Sequence, residues 1–191
     1  AALMQKRGID LSKIPGRYGG GPLGMLASLG VLQGGIDEHL KKTSELAAWN
    51  TQNMPGMSAF NVDTTPYHGA GVTETEDLAI AMSTAVKYLR AMVSNGLNID
   101  EAFSQISFTT SVGMDVFQGM AKLRAARFLW SRITEVCGGQ KSNRSMVLNA
   151  ITANRSLSKR DIAVNMLRSA SACFAAGSAI FSATFFTFFA M

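Results

Sequence analysis

Cysteine and histidine are scarce in this chain: Cys137, Cys173, His39 and His68 are all it has in 191 residues. Two thiols outside any CxxC pair make no disulfide framework, so a reducing, cytoplasmic compartment is expected. So few Cys and His residues give no zinc-type spacing, and no metal site is expected. Nor do His39 and His68 alone support a Ser-His-Asp or Cys-His nucleophile. Charge is thin as well, at 16% against 47% hydrophobic residues, which excludes a disordered tail and suits a well-buried α/β protein. The net charge of +5 comes from scattered basic residues with no interleaved aromatics, so nucleic acid is not expected, although some cations are free to meet a phosphate-bearing ligand. No charged segment precedes an apolar run at the start, and no secretory signal is expected. From Cys173 to Met191 the chain carries no charge and five phenylalanines, Phe181, Phe185, Phe186, Phe188 and Phe189. A membrane span needs about 20 apolar residues with anchors at both ends, so no membrane role is expected of it.

What the chain does have is alternation. A strand-like run at Ser58–Asp63 ends in the turn signal Thr64-Thr65-Pro66. Thr73 with Glu76 forms a capping box that opens a helix with Leu78, Met82, Ala85, Leu89 and Met92 on one face, stopped by Asn95-Gly96. A second strand is expected at Gln105–Thr110. The next helix aligns Val116, Met120, Leu123, Arg127, Trp130 and Ile133 and ends at Gly138-Gly139. Arg127 stands where an apolar residue belongs, so it either flanks the core or has a polar partner. A third strand is expected at Met146–Ile151. Ser158 with Asp161 then opens a helix through Ile162, Met166, Ala170 and Phe174, and a further apolar run follows. Ahead of all this, Gly16–Gly24 reads as a tight loop entering a helix, and Asp37–Asn53 as a helix.

Strand and helix in turn imply βαβ crossovers and a parallel sheet in one domain, with no linker or heptad repeat. Length permits a doubly wound sheet. It equally permits half to two-thirds of an eight-unit barrel, which needs about 250 residues.

Few motifs carry chemistry. Arg17 to Gly24 fails the phosphate-loop pattern, and Pro22 interrupts a GxGxxG reading. Asp37-Glu38-His39 begins the DxHxxG signature of some cobalamin proteins, but Lys42 replaces its glycine and His39 falls within a helix, so it is read as a surface histidine. Tyr67-His68 lies just past the C-terminal end of an expected strand, where parallel α/β folds place their chemistry. The pair is suited to hydrogen-bonding a carbonyl or stacking on a cofactor; equally, His68 serves a turn. Glu74, Glu76 and Asp77 occupy the first turn of a helix, where they complement its dipole. Met82 with Met92, and Met114 with Met120, are read as core packing.

Four segments together resemble one family. Asn61-Val62-Asp63-Thr64-Thr65-Pro66-Tyr67-His68-Gly69-Ala70-Gly71, followed by Glu76-Asp77-Leu78-Ala79, resembles the strand-turn-helix of the methylmalonyl-CoA mutase barrel. Ala121 to Trp130 resembles that family's AKLRAARxLW helix, and Arg160-Asp161 with Val164-Asn165-Met166-Leu167-Arg168 its RDPxVNMLR segment. Gly21-Pro22-Leu23-Gly24 resembles its DPLG turn, with Gly21 in place of aspartate. The likeness covers about residues 15–176.

The resemblance implies a partial (β/α)8 TIM barrel of the cobalamin-dependent acyl-CoA mutase type. In the intact enzyme the pantetheine arm of coenzyme A threads the barrel, and adenosylcobalamin on a separate domain supplies the radical that interconverts methylmalonyl-CoA and succinyl-CoA. Tyr67 and His68 match the family's pocket pair and are its implied substrate-binding residues. The catalytic subunit's HCQTSG string is matched by Asn149-Ala150-Ile151-Thr152-Ala153-Asn154. Ile151 cannot hydrogen-bond a thioester or carboxylate. This stretch, with Leu46-Ala47-Ala48-Trp49 and Met57 to Thr65, looks like the small, non-catalytic subunit, whose partner is the large subunit in a heterodimer.

Adenosylcobalamin is accordingly expected in the parent enzyme and not on this chain alone, which is expected to be inactive by itself. The alternatives are a catalytic mutase fragment that keeps substrate binding, or a non-functional remnant. The early barrel strands and a cobalamin-binding domain are expected to be missing, and the run after Ala176 to reflect a frameshift or truncation.

Overall fold

The computed structural model describes residues 2–140 and 145–188. Its elements in chain order are α1 (Ala2–Lys6), β1 (Gly16–Gly20), α2 (Pro22–Leu29), α3 (Gly35–Asn53), β2 (Met57–Asp63), α4 (Thr65–Gly69), α5 (Glu74–Ser94), α6 (Ile99–Ser104), β3 (Ile106–Val112), α7 (Val116–Val136), β4 (Leu148–Thr152) and α8 (Val164–Phe188). The four strands form one sheet in the order β1-β2-β3-β4, and every neighbouring pair is parallel. The long helices follow the same order, α3 packing on α5, α5 on α7 and α7 on α8. A doubly wound sheet reverses its strand order at a switch point. This one never reverses. It is an α/β fold with a parallel sheet wound in one direction, compatible with part of a barrel.

The elements form for local reasons that the sequence states. At the start of α5 the Thr73 hydroxyl accepts from the Glu76 amide at 3.3 Å, and the Glu76 carboxylate accepts from the Thr73 amide at 2.7 Å. Both halves of the capping box are therefore made. Asn98 and Glu101 repeat the device at α6. The main core lies between the sheet and α5 and α7: Phe60, Val62, Ile106 and Phe108 from the strands meet Ala85, Tyr88, Leu89 and Met92 from α5 and Trp130 from α7. Trp130 takes Phe108 and Phe103 edge-on, with centroids 4.9 and 5.8 Å apart.

Two elements differ from expectation. The Gly16–Gly20 stretch is a strand, not a loop. It pairs with β2, and its glycines allow an approach that side chains would block: a Cβ on Gly20 would lie 2.6 Å from the Ala59 carbonyl oxygen. The helix expected from Ser158 begins at Val164, because Asp161 accepts from the amides of Ala163 and Val164 and holds the preceding turn. Its buried face is also another one. Ile162, Met166 and Phe174 are 79%, 76% and 65% exposed, whereas Ala172, Ala175 and Ala179 are buried against Val112 and Leu123. Size explains the choice. At the contact with α7, a Cβ on Gly119 would already lie 3.1 Å from that of Ala175.

Arg127 has the polar partner that its position called for, donating to the Ala179 carbonyl at 2.9 Å. Met82 and Met92 are buried. Met114 is not: it is exposed, and its sulfur accepts from Arg168. The apolar run after Ala176 continues α8 to Phe188, while Phe189 and Met191 lie outside the described residues. Among the described residues, no helix is long and apolar enough to cross a membrane.

Candidate functional site

The C-terminal ends of β2, β3 and β4 converge on one cavity. Past β2, Asp63 accepts from the Thr65 amide at 2.9 Å and turns the chain directly into α4, which carries His68. Past β3 comes α7, whose second turn holds Lys122. Both are buried: the Lys122 side chain is 1% exposed and that of His68 2%.

A buried ammonium needs an acceptor for each of its three protons. Lys122 donates to the Ser111 carbonyl at 2.8 Å and forms ion pairs with the carboxylates of Asp77 and Glu74, both from the first turn of α5. Thr110 donates to the Asp77 carboxylate at 2.9 Å. The other oxygen of Glu74 lies 3.2 Å from His68 Nε2. An ionised carboxylate can only accept, so this bond places a proton on Nε2. Arg155, just past β4, donates to the carbonyls of His68 and Val72, each at 3.0 Å, with its second nitrogen 3.9 Å from Glu74. Lys122 thus meets both carboxylates away from solvent, the condition under which buried charge is tolerated, while Arg155 stands exposed at the edge of the cluster.

The cavity beside this cluster holds about 230 Å³, with His68, Thr65, Ser111, Ile151, Thr152 and Asn154 among its walls. It opens onto the inner face of the sheet. Side chains alternate along a strand, so Asn61, Ser107, Thr109, Asn149 and Ile151 stand opposite the core-facing Phe60, Val62, Phe108 and Leu148. Ser107 and Thr109 both donate to the Asn61 side-chain oxygen, at 3.3 and 3.1 Å. Barrel interiors are usually filled by bulky branched residues. This inner face is mostly small and polar.

Tyr67 and His68 are adjacent in sequence and part company in space. His68 is on the cavity wall, whereas the Tyr67 hydroxyl donates to the Leu23 carbonyl at 3.4 Å, at the start of α2. Burial pushes the Tyr67 phenol up from its ordinary range, and the Asp63 carboxylate adds to this. Tyr88 holds the same helix start, its hydroxyl accepting from the Leu23 amide at 3.0 Å. His39 is elsewhere, within α3, with Nε2 2.8 Å from the Gln33 carbonyl.

The charged cluster is what reading the sequence missed. Assigning Glu74, Glu76 and Asp77 alike to the helix dipole holds for Glu76, which is exposed and makes the cap, and fails for the other two as a full account. Asp77 is 1% exposed and Glu74 mostly buried, because both neutralise Lys122. A signal was present. Asp77 continues the buried stripe Ala81, Ala85, Tyr88, Met92 of α5, and Lys122 sits beside Leu123 in that of α7. Opposite charges on the apolar stripes of successive helices are candidates to meet.

Comparison with known proteins settles the family. The methylmalonyl-CoA mutase family model matches residues 1–184. The chain belongs to the methylmalonyl-CoA mutase family. It is 36% identical over 175 residues to the methylmalonyl-CoA mutase small subunit of Streptomyces virginiae, covering 92% of this chain and 28% of that protein. It is 39% identical over 122 residues to the small subunit of Propionibacterium freudenreichii subsp. shermanii, covering 64% of this chain and 19% of that protein. With the large subunit from the same organism it shares 35% identity over 127 residues, or 65% of this chain and 17% of that protein. The chain therefore spans less than a third of the length of these relatives, and the family match extends beyond Ala176.

Proposed function

We propose that this chain is a barrel segment of the small, non-catalytic subunit of a cytoplasmic, adenosylcobalamin-dependent methylmalonyl-CoA mutase. Its eight-unit barrel would pair with a catalytic large subunit that interconverts methylmalonyl-CoA and succinyl-CoA. The observation that carries this reading is Ile151. It stands on the same cavity wall as His68, at the position where the catalytic subunit's string has glutamine. A butyl side chain there offers no hydrogen bond to a thioester or carboxylate, and a partially buried polar ligand group left unpaired costs about 1–3 kcal/mol.

The family's cofactor supplies a cobalt–carbon radical when bound. His39 does not fit that group as a cobalt ligand: it lies within α3, lines no part of this cavity, and has Lys42 where the cobalt-binding signature has glycine. What this chain's own residues do is shape and hold. The sequential sheet supports a barrel wall, the small polar inner face leaves room for a thin polar chain such as pantetheine, and the Lys122 cluster ties the tops of β2, β3 and β4 together.

The test is reconstitution of the full-length subunit. With a large subunit it should form a stable pair active in isomerisation, and alone with adenosylcobalamin and methylmalonyl-CoA it should give no succinyl-CoA. Turnover by the full-length subunit alone would refute the non-catalytic assignment.

A further inference from the structure

We propose that α2 is a hinged lid on the cavity at the C-terminal end of the strands, latched by the hydroxyls of Tyr67 and Tyr88. The proposal concerns access to the cavity and holds whichever ligand the cavity takes.

α2 reaches the cavity through Ser28, which shares its wall with Thr65 and His68 of α4 and with Ser111 and Thr152 at the ends of β3 and β4. Little else holds the helix. Of its eight residues only Pro22 and Gly24 are buried. Leu23 packs against the edge of the main core, and every residue from Met25 to Leu29 is exposed. An element with so few buried apolar contacts lies at the low-stability end of a fold, where local opening precedes global unfolding.

Both ends of α2 are built to turn. Gly21 caps its start, and Gly30, at φ +73°, ends it in the left-handed region. A Cβ at Gly30 would meet nothing within 4 Å, so glycine supplies backbone freedom there and not space. Hinges of moving segments are a few such positions at the ends of elements, which absorb the change in backbone angles.

The latch closes on one residue. The Leu23 amide donates to the Tyr88 hydroxyl at 3.0 Å, and the Leu23 carbonyl accepts from the Tyr67 hydroxyl at 3.4 Å. Tyr88 belongs to α5 and Tyr67 to α4, so α2 is tied to two elements that stay with the sheet when it moves. Tyr67 is also the chain neighbour of His68 on the cavity wall, so one turn of α4 carries the latch on one side and the cavity on the other. Release of Leu23 lets α2 carry Ser28 away from the wall, and its return excludes solvent.

Hydrogen exchange and thiol labelling of the full-length subunit, both resolved by peptide mass spectrometry, test the lid. Ser111→Cys is a near-isosteric change at a wall residue 3% exposed, and its reaction with iodoacetamide reports access to the cavity. Amides of α2 should exchange about a hundredfold or more faster than those on the buried stripe of α5, and the cysteine should react at a rate that follows α2. Tyr67→Phe keeps the ring and removes the donor, so it should speed both by severalfold, up to about tenfold. Gly30→Asn still permits a positive φ but narrows the backbone, so it should slow both about two- to fivefold.

Exchange in α2 as slow as in α5 would overturn the proposal, because the helix would then not open on its own. So would labelling at position 111 that stays constant while the two variants move the exchange of α2, since the helix would open without gating the cavity. If Ser111→Cys lowers the melting temperature, Thr152→Cys on the same wall is the reporter, read in the same way. None of these results touches subunit pairing or turnover, which decide the proposed function separately.

Discussion

Replacing Tyr88 by phenylalanine removes a single oxygen from the core and leaves one amide behind. Gly21 caps α2 without a side chain and Pro22 has no N–H, so Leu23 is the first residue of that helix to need an acceptor; the Tyr88 hydroxyl provides it at 3.0 Å. Tyr88 is 0% exposed, and its ring packs on Phe60 at a centroid distance of 4.7 Å, a contact the phenylalanine keeps. The loss is therefore one hydrogen bond to a partly buried amide, about 1–2 kcal/mol, without the cavity term that makes aromatic-to-alanine changes cost about 3–5 kcal/mol. Denaturant unfolding at pH 7 should show a lower midpoint with an unchanged slope.

A pH series supplies a second arm. Burial holds the Tyr88 phenol above its ordinary range, so the folded state keeps a proton that the unfolded chain releases near pH ~10. Stability from this group is complete below that pH and is lost as pH rises beyond it. Tyr88→Phe should flatten the alkaline decline, leaving the smaller contribution of Tyr67, whose phenol is raised in the same direction. A variant as stable as the wild type at pH 7, with the same alkaline decline, would refute the capping role of this hydroxyl.

Other outcomes follow from packing. Gly21→Asp restores the aspartate of the family's turn, but a Cβ there would meet the Asn61 carbonyl oxygen at 2.6 Å; thermal melts should show a net loss despite a cap gain of about 1 kcal/mol. Trp130→Ala should cost about 3–5 kcal/mol in denaturant unfolding, since Trp130 is 2% exposed and two aromatic rings lean on it. On α8, Phe174→Ser should change stability by less than about 0.5 kcal/mol, whereas Ala175→Leu should cost about 1–3 kcal/mol by overpacking against Gly119. The reverse ranking would restore the apolar face expected from the sequence.

Local chemistry by itself determined most of the elements. Thr73 with Glu76 starts α5, alternation places β2 and β3, and the order of strands and helices requires a parallel sheet, because each rule acts over one turn or one pleat. The four motif segments also named the family, and the match over residues 1–184 agrees. What only the tertiary structure decided are the outcomes of close approach. Gly16–Gly20 becomes a strand because β2 comes within reach of a backbone that lacks Cβ atoms. The face of α8 is set by the narrow gap to Gly119, where alanine fits and phenylalanine does not, so hydrophobicity ranked the wrong side. The charged cluster is of the same kind. Asp77 and Lys122 lie 45 positions apart. Their places on the apolar stripes of α5 and α7 make them candidates to meet, but their burial is tolerated only because folding brings α5 against α7 and gives each charge its partner.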